Sequence, residues 1–238
     1  MDIARAIDLE IEAPAAKARQ IELSKKLEIR PGRLDINTVG ATDVAYDKDT
    51  DKAYAAIVVL DAQTLEVIER ASWEGMPGYP YVPGLFSLRE ASCLLEAFKA
   101  LETVPDVVMI DGHGWAHPRR FGLACLLGWA LDIPTIGCAK NNLAGDYQDP
   151  DKARGASTPI LDGEEQIGVA LRTQDGINPV FVSPGHRYDF DTAAQVTMAV
   201  SGEYRIPEPL RQAHNLSIEL RAADAEKAAE EQEREVVS

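Results

Sequence analysis

The run Val107-Val108-Met109-Ile110 stops at Asp111-Gly112. A short apolar run without alternation reads as a strand covered on both faces, so this chain needs layers on either side of a sheet. An acid at the end of such a strand points into the crevice at the carboxyl edge of an open α/β sheet, where ligands bind. A second acid, Asp43, interrupts the β-forming segment 38–46. Carboxylate oxygens gathered in such a crevice suit a hard cation such as Mg²⁺.

A third acid is out of place on a helix. If residues 84–101 form one helix, Arg89, Ser92, Glu96 and Lys99 share a polar face, and Phe86, Leu94, Ala97 and Leu101 share an apolar one. Glu90 falls in the middle of the apolar group. An unpaired buried carboxylate costs on the order of several kcal/mol, so Glu90 must be neutral, paired or bound to metal. Taken singly, these acids have ordinary readings: a buried arginine partner for Glu90, an Asx-turn for Asp43, a helix cap for Asp111. Together they favour one shared site.

The 238 residues can bury one full core. We expect a single domain over residues 1–220 and an acidic tail over 221–238, alanine-rich and without an apolar stripe, that frays or stays disordered. No stretch of eighteen apolar residues occurs, and Met1 is followed at once by Asp2, Arg5, Asp8 and Glu10, which predicts a cytoplasmic protein with no membrane partner. A monomer is expected. Cys93, Cys125 and Cys138 lie far apart in apolar runs and read as buried thiols. The net charge of −15 speaks against non-specific nucleic-acid binding, yet the charge is uneven. Residues 35–75 carry nine acids against three bases, whereas residues 112–160 carry five bases against four acids.

Along the chain, residues 2–28 read as a helix ended by Pro31-Gly32. Strands follow near 36–46, 54–61 and 64–73, joined by Asp- and Thr-rich turns as an antiparallel meander. The helix carrying Glu90, the strand ending at Asp111, a helix near 120–131 and a strand near 133–138 imply parallel strands beside the meander. Hairpins are expected around Asp162-Gly163 and Asp175-Gly176, then helices near 190–201 and 207–222. The fold class is therefore α/β, a ribonuclease-H-like mixed sheet flanked by helices, a topology that serves two-metal phosphodiester cleavage.

Thr42-Asp43-Val44, Pro80-Tyr81-Val82-Pro83-Gly84-Leu85, Arg89-Glu90, Asp111-Gly112-His113-Gly114, Ala116-His117-Pro118-Arg119, Gly137-Cys138-Ala139-Lys140, Val182-Ser183-Pro184-Gly185-His186 and Arg205-Ile206-Pro207-Glu208-Pro209 with Ala213-His214 occur in that order over residues 35–216. This set resembles the endonuclease V family of deoxyinosine-directed repair nucleases. His113 stands where many relatives carry Gln, and the acidic tail lies beyond the family core.

The resemblance implies hydrolysis of the second phosphodiester 3′ to a deaminated base in DNA, leaving 3′-hydroxyl and 5′-phosphate ends. It implies that Asp43 and Asp111 hold Mg²⁺, with Mn²⁺ able to substitute, that Glu90 completes the carboxylate set, and that His214 orients or deprotonates the attacking water. Lys140, at the carboxyl end of a strand, faces a phosphate. Pro80 and Pro83 fix φ and bias Tyr79 and Val82 toward extended backbone, so Tyr81 is presented on a stiff loop as a wedge that can fill the stack left by an extruded base. The base pocket is expected to be lined near Leu85, Gly112 and Gly137 and by His117.

Three other readings compete. A zinc hydrolase would use the His113-x₃-His117 spacing, but Pro118 and the flanking glycines make a poor helix there. A nucleic-acid-binding module without catalysis would not need all three acids. An inosine-directed endoribonuclease on the same fold differs only in a 2′-hydroxyl contact that one sequence does not reveal.

Overall fold

A computed structural model describes residues 1–237, with side chains described as far as Glu230. The meander forms as expected, from β1 (Thr38–Tyr46), β2 (Ala53–Asp61) and β3 (Val67–Gly75). Acid side chains fold its turns: Asp47 accepts from the amides of Asp49 and Thr50, and Asp61 from those of Gln63 and Thr64. Next come α2 (Phe86–Lys99), β4 (Val107–Asp111), α3 (Leu123–Leu131) and β5 (Thr135–Ala139). β4 pairs in parallel with both β1 and β5. Antiparallel strands followed by parallel ones are the ribonuclease-H-like arrangement.

The sheet continues through β6 (Asp146–Tyr147), β7 (Ser157–Asp162), β8 (Glu165–Leu171) and β9 (Val180–His186), with β9 antiparallel to β5. Its nine strands run β3-β2-β1-β4-β5-β9-β8-β7-β6. Both expected hairpins are present, and their turn glycines, Gly163 and Gly176, take positive φ. α4 (Phe190–Ala199) is capped by Asp189, which accepts from Thr192 N at 2.8 Å. α5 (Glu208–Val237) follows it.

The sheet separates two cores. Ile57, Val59, Val108 and Ile110 point toward α2 and α3, while Val58, Leu60, Val107 and Met109 point toward α4 and α5. This period of two turns the apolar runs of β2 and β4 into strands buried on both faces. All three cysteines are free and buried. Among the described residues no helix is long and apolar enough to cross a membrane.

Two sequence expectations are corrected. Helix over 2–28 shrinks to α1 (Ala13–Ser24). Pro14 is tolerated only in a first turn, and the preceding Ile3, Ile7, Leu9 and Ile11 pack on the core from irregular backbone. The faces of α2 also differ from those expected. Phe86 is partly exposed and Arg89 is buried. The Arg89 guanidinium stacks over Tyr46, donates to the Tyr79 carbonyl and pairs with Asp51 at 2.6 Å. This arginine does not neutralise Glu90.

The boundary expected at residue 220 falls inside α5, which stays helical to Val237. Asp224 pairs with Lys52 at 2.9 Å and accepts from the buried Tyr54 hydroxyl at 2.6 Å. Truncation after Leu220 should therefore cost about 1 kcal/mol, a Tm loss of roughly 2–4 °C for a chain of this size. Truncation after Lys227 keeps both bonds and should melt above the shorter chain. Thermal melts of the two truncations decide it, and equal Tm values would show that the Asp224 contacts contribute nothing.

Candidate active site

The carboxyl ends of β1 and β4 and one face of α2 border a cleft of about 650 Å³ lined by Asp43, Glu90, Asp111, Gly112, His113 and His117, among others. The parallel register sets Thr42 beside Ile110, which brings Asp43 and Asp111 to the same end of the sheet. α2 brings Glu90 to the same cleft, near enough to feel both charges. Burial, then the charges of Asp111 and Asp43, push the Glu90 carboxyl up to about 8. Glu90 keeps a partial opening toward the cleft, so the ion that would relieve this crowding has access.

Each aspartate has a partner. Lys140, one residue past β5, places its ammonium 2.7 Å from Asp111 Oδ2. Burial works against this cation, but the bond to Asp111 and the charges of Asp111 and Asp43 outweigh it and hold its pKa above the ordinary lysine value. Asp43 Oδ2 accepts from Ser217 Oγ at 2.5 Å and lies 3.2 Å from His214 Nδ1, both on α5. With its proton on Nδ1, His214 donates to Asp43 and presents Nε2 as an acceptor.

Among the described residues, no three His, Cys, Asp or Glu side chains are drawn closely enough to ligate one ion as they stand. The donors nevertheless fit a hard divalent cation. They are all carboxylate oxygens, they raise one another's affinity for positive charge, and an ammonium already stands against one of them.

The cleft extends past Gly112 toward His117 and Arg119. Gly112 takes φ +154, a conformation L side chains rarely adopt, and nothing lies within 3.9 Å of where its Cβ would be. Burial pushes His113 and His117 down to about 4, so both imidazoles are neutral at pH 7. His117 Nδ1 accepts from Arg119 N at 3.2 Å in a loop rather than a helix, which removes the paired-zinc-ligand geometry.

The wedge residues lie at the rim. Tyr81 is 66% exposed and meets Phe86, a residue of the cleft wall, edge-on at 6.0 Å. Pro80 and Pro83 are exposed, and Val82 packs partly on the core. Leu85 and Gly137, expected in the pocket, do not line it. Leu85 is fully buried in the core beneath α2. Gly137 serves packing: a Cβ there would lie 2.5 Å from Gly114 N and 2.7 Å from Gly112 O, so its absence lets the 112–114 loop settle on β5.

Sequence reasoning missed Ser217 and Arg119 as site residues. Ser217 follows His214 by three residues and so shares its helix face, a spacing that could have found it. Arg119 is brought to the cleft by loop geometry alone.

The sequence profile of the endonuclease V family matches residues 18–215. Endonuclease V of Streptomyces avermitilis is 50% identical over 178 residues, covering 75% of this chain and 78% of the relative. The crystal structure of endonuclease V from Bacillus subtilis superposes with a TM-score of 0.90 at 33% identity, covering 95% of this chain and all of that one. A Ciona intestinalis endonuclease V, crystallised with a 24mer DNA containing an inosine followed by a ribo-adenosine, matches with a TM-score of 0.75 at 25% identity over 88% of this chain and 98% of its own. The profile spans the meander, the parallel strands and the start of α5, and therefore every carboxylate of the cleft: the chain belongs to the endonuclease V family.

Proposed function

We propose that this protein is a divalent-metal-dependent endodeoxyribonuclease that recognises deaminated bases, chiefly deoxyinosine. It hydrolyses the second phosphodiester 3′ to the lesion and leaves 3′-hydroxyl and 5′-phosphate ends. The observation that carries the reading is the convergence of Asp43, Glu90 and Asp111 in a cleft of about 650 Å³ that continues past Gly112 to His113 and His117. The inosine-containing DNA bound by the Ciona relative supports the same substrate class.

Asp43 and Asp111 would hold Mg²⁺ or Mn²⁺, with Glu90 completing the set. The cation supplies charge neutralisation at the phosphate and eases ionisation of water. The chain's own residues do the rest. Asp43 orients His214, whose free imidazole nitrogen can accept a proton from the attacking water. Ser217 fixes the other side of that geometry by its bond to the same carboxylate oxygen. Lys140 keeps a positive charge beside Asp111, where a phosphate oxygen can share it. Gly112 allows the base close to the backbone, and His117, neutral, offers a hydrogen bond without a charge.

The test is nicking of matched DNA and RNA oligonucleotides carrying one inosine, in Mg²⁺ and in Ca²⁺. We expect Mg²⁺-dependent cleavage of the DNA, with binding but little turnover in Ca²⁺, whose coordination is larger and looser. Faster cleavage of the RNA would make the protein an inosine-directed endoribonuclease. No cleavage of either would sink the reading.

A further inference from the structure

Among the described residues, Arg119 is a cation without a counter-charge. Its neighbour Arg120 is neutralised by Asp162 at 2.7 Å and Glu165 at 2.8 Å. Arg119 instead gives Nε to Gln20 Oε1 at 2.6 Å and Nη2 to the Gly84 carbonyl, both neutral acceptors. Burial is what acts on its charge, and among the described residues no carboxylate offsets it. In a chain of net charge −15, a half-buried guanidinium left unpaired on a cleft wall marks a place for an anion.

The side chain is also fixed before any anion arrives. Gln20 is 3% exposed and bonds, besides Arg119, to Ser87 Oγ at 3.3 Å and the Phe121 carbonyl at 3.4 Å. It thereby ties α1 to the start of α2 and to the loop before α3. Gly84 closes the Pro80–Pro83 loop. With Nε and Nη2 engaged, Nη1 has no bond to a described residue, and the Arg119 side chain lines the cleft.

We propose that Arg119, braced by Gln20 and the Gly84 carbonyl, is a phosphate clamp for the strand that carries the extruded base, and that the same guanidinium locks the tyrosine loop to the base pocket. This rests on the nucleic-acid reading above. The anion is a backbone phosphate, because Arg119 lines the same cleft as Asp43, Glu90 and Asp111, the acids proposed to act on the strand's phosphodiester. A guanidinium held at two points loses little further freedom when it binds a phosphate.

The experiment is the salt dependence of binding, by fluorescence anisotropy in Ca²⁺, of inosine-containing and undamaged single strands and of an inosine-containing duplex. Wild type is compared with Arg119→Gln, Arg119→Lys and Gln20→Met. Neutralising one phosphate contact on a single strand should lower the slope of log K against log [salt] by about 0.7, so Arg119→Gln should show that loss on both single strands. Arg119→Lys should keep the slope but lose part of the preference for the inosine duplex, because an ammonium cannot hold Gly84, Gln20 and a phosphate together. Gln20→Met should behave like Arg119→Lys, with unchanged slope. An unchanged slope in Arg119→Gln, in a protein with wild-type Tm, would overturn the clamp. Full duplex preference in Arg119→Lys would overturn the lock on the loop. If wild type shows no preference for inosine while Arg119→Gln still lowers the slope, the clamp stands and the substrate reading falls. A wild-type chain that binds no strand overturns both.

Discussion

Asp43→Asn and Asp111→Asn should each abolish Mg²⁺-dependent nicking of an inosine oligonucleotide, by roughly a thousandfold or more, and leave the protein folded. Each removes a charged oxygen donor and almost no volume. Charge stabilisation worth several kcal/mol is lost, and every 1.36 kcal/mol is about tenfold in rate. The substitutions differ in their side effects. Asp111→Asn also strips Lys140 of the carboxylate that raises its pKa, whereas Asp43→Asn leaves an amide oxygen to accept from Ser217 and His214. Single-turnover nicking rates, with Tm as the control, measure the effect. Activity within tenfold of wild type in either variant would remove that residue from the site.

Glu90 adds a measurement that needs no activity. Its folded pKa of about 8 lies above the ordinary 4.5, so between these values the folded metal-free protein holds a proton that the unfolded chain has released. Stability therefore falls as pH rises through that window and levels off above about 8. Glu90→Gln imitates the neutral form. In chelator it should match wild type near pH 4.5 and melt higher than wild type at pH 8, while nicking is lost. A variant that melts lower at pH 8 would show that the Glu90 charge is already compensated.

The site acids were legible because each breaks a local pattern. Asp111 ends a strand too apolar to be half-exposed, Asp43 interrupts a strand, and Glu90 violates a helical period. Lys140 was legible as the first residue past a strand. What could not be read depended on long-range partners. Arg89 looks like a surface residue by its spacing, and only the approach of Asp51 and Tyr46 from the β1–β2 hairpin makes its burial tolerable. The glycine at 137 signalled a close approach correctly, but what approaches is the 112–114 loop rather than a base. Apolar spacing at Ile3, Ile7 and Ile11 suits a helix, yet the same residues anchor an irregular segment, since packing on a ready-made core does not require helical backbone.

Tyr81→Ala should reduce cleavage of an inosine duplex far more than cleavage of an inosine single strand. The loop that carries Tyr81 is fixed at both ends: Arg89 holds the Tyr79 carbonyl at 3.3 Å, and Arg119 holds that of Gly84. Pro80 and Pro83 stiffen what lies between. The ring is 66% exposed and, among the described residues, its ring contact is the edge contact with Phe86; a flat apolar ring held out toward solvent suits stacking against a base. In a duplex, extrusion of the lesion costs a few kcal/mol of unstacking and unpairing, and a ring entering the gap offsets part of that. A base in a single strand has little stacking to lose. Removing the ring should therefore cost roughly 1–3 kcal/mol on duplex, about five- to more than a hundredfold in kcat/KM, and much less on the single strand. Tyr81→Phe, which keeps the ring and loses only the hydroxyl, should retain wild-type values on both. Equal losses on the two substrates in Tyr81→Ala would mean that the residue supports the loop or Phe86 rather than the opened duplex, and the wedge assignment would be withdrawn.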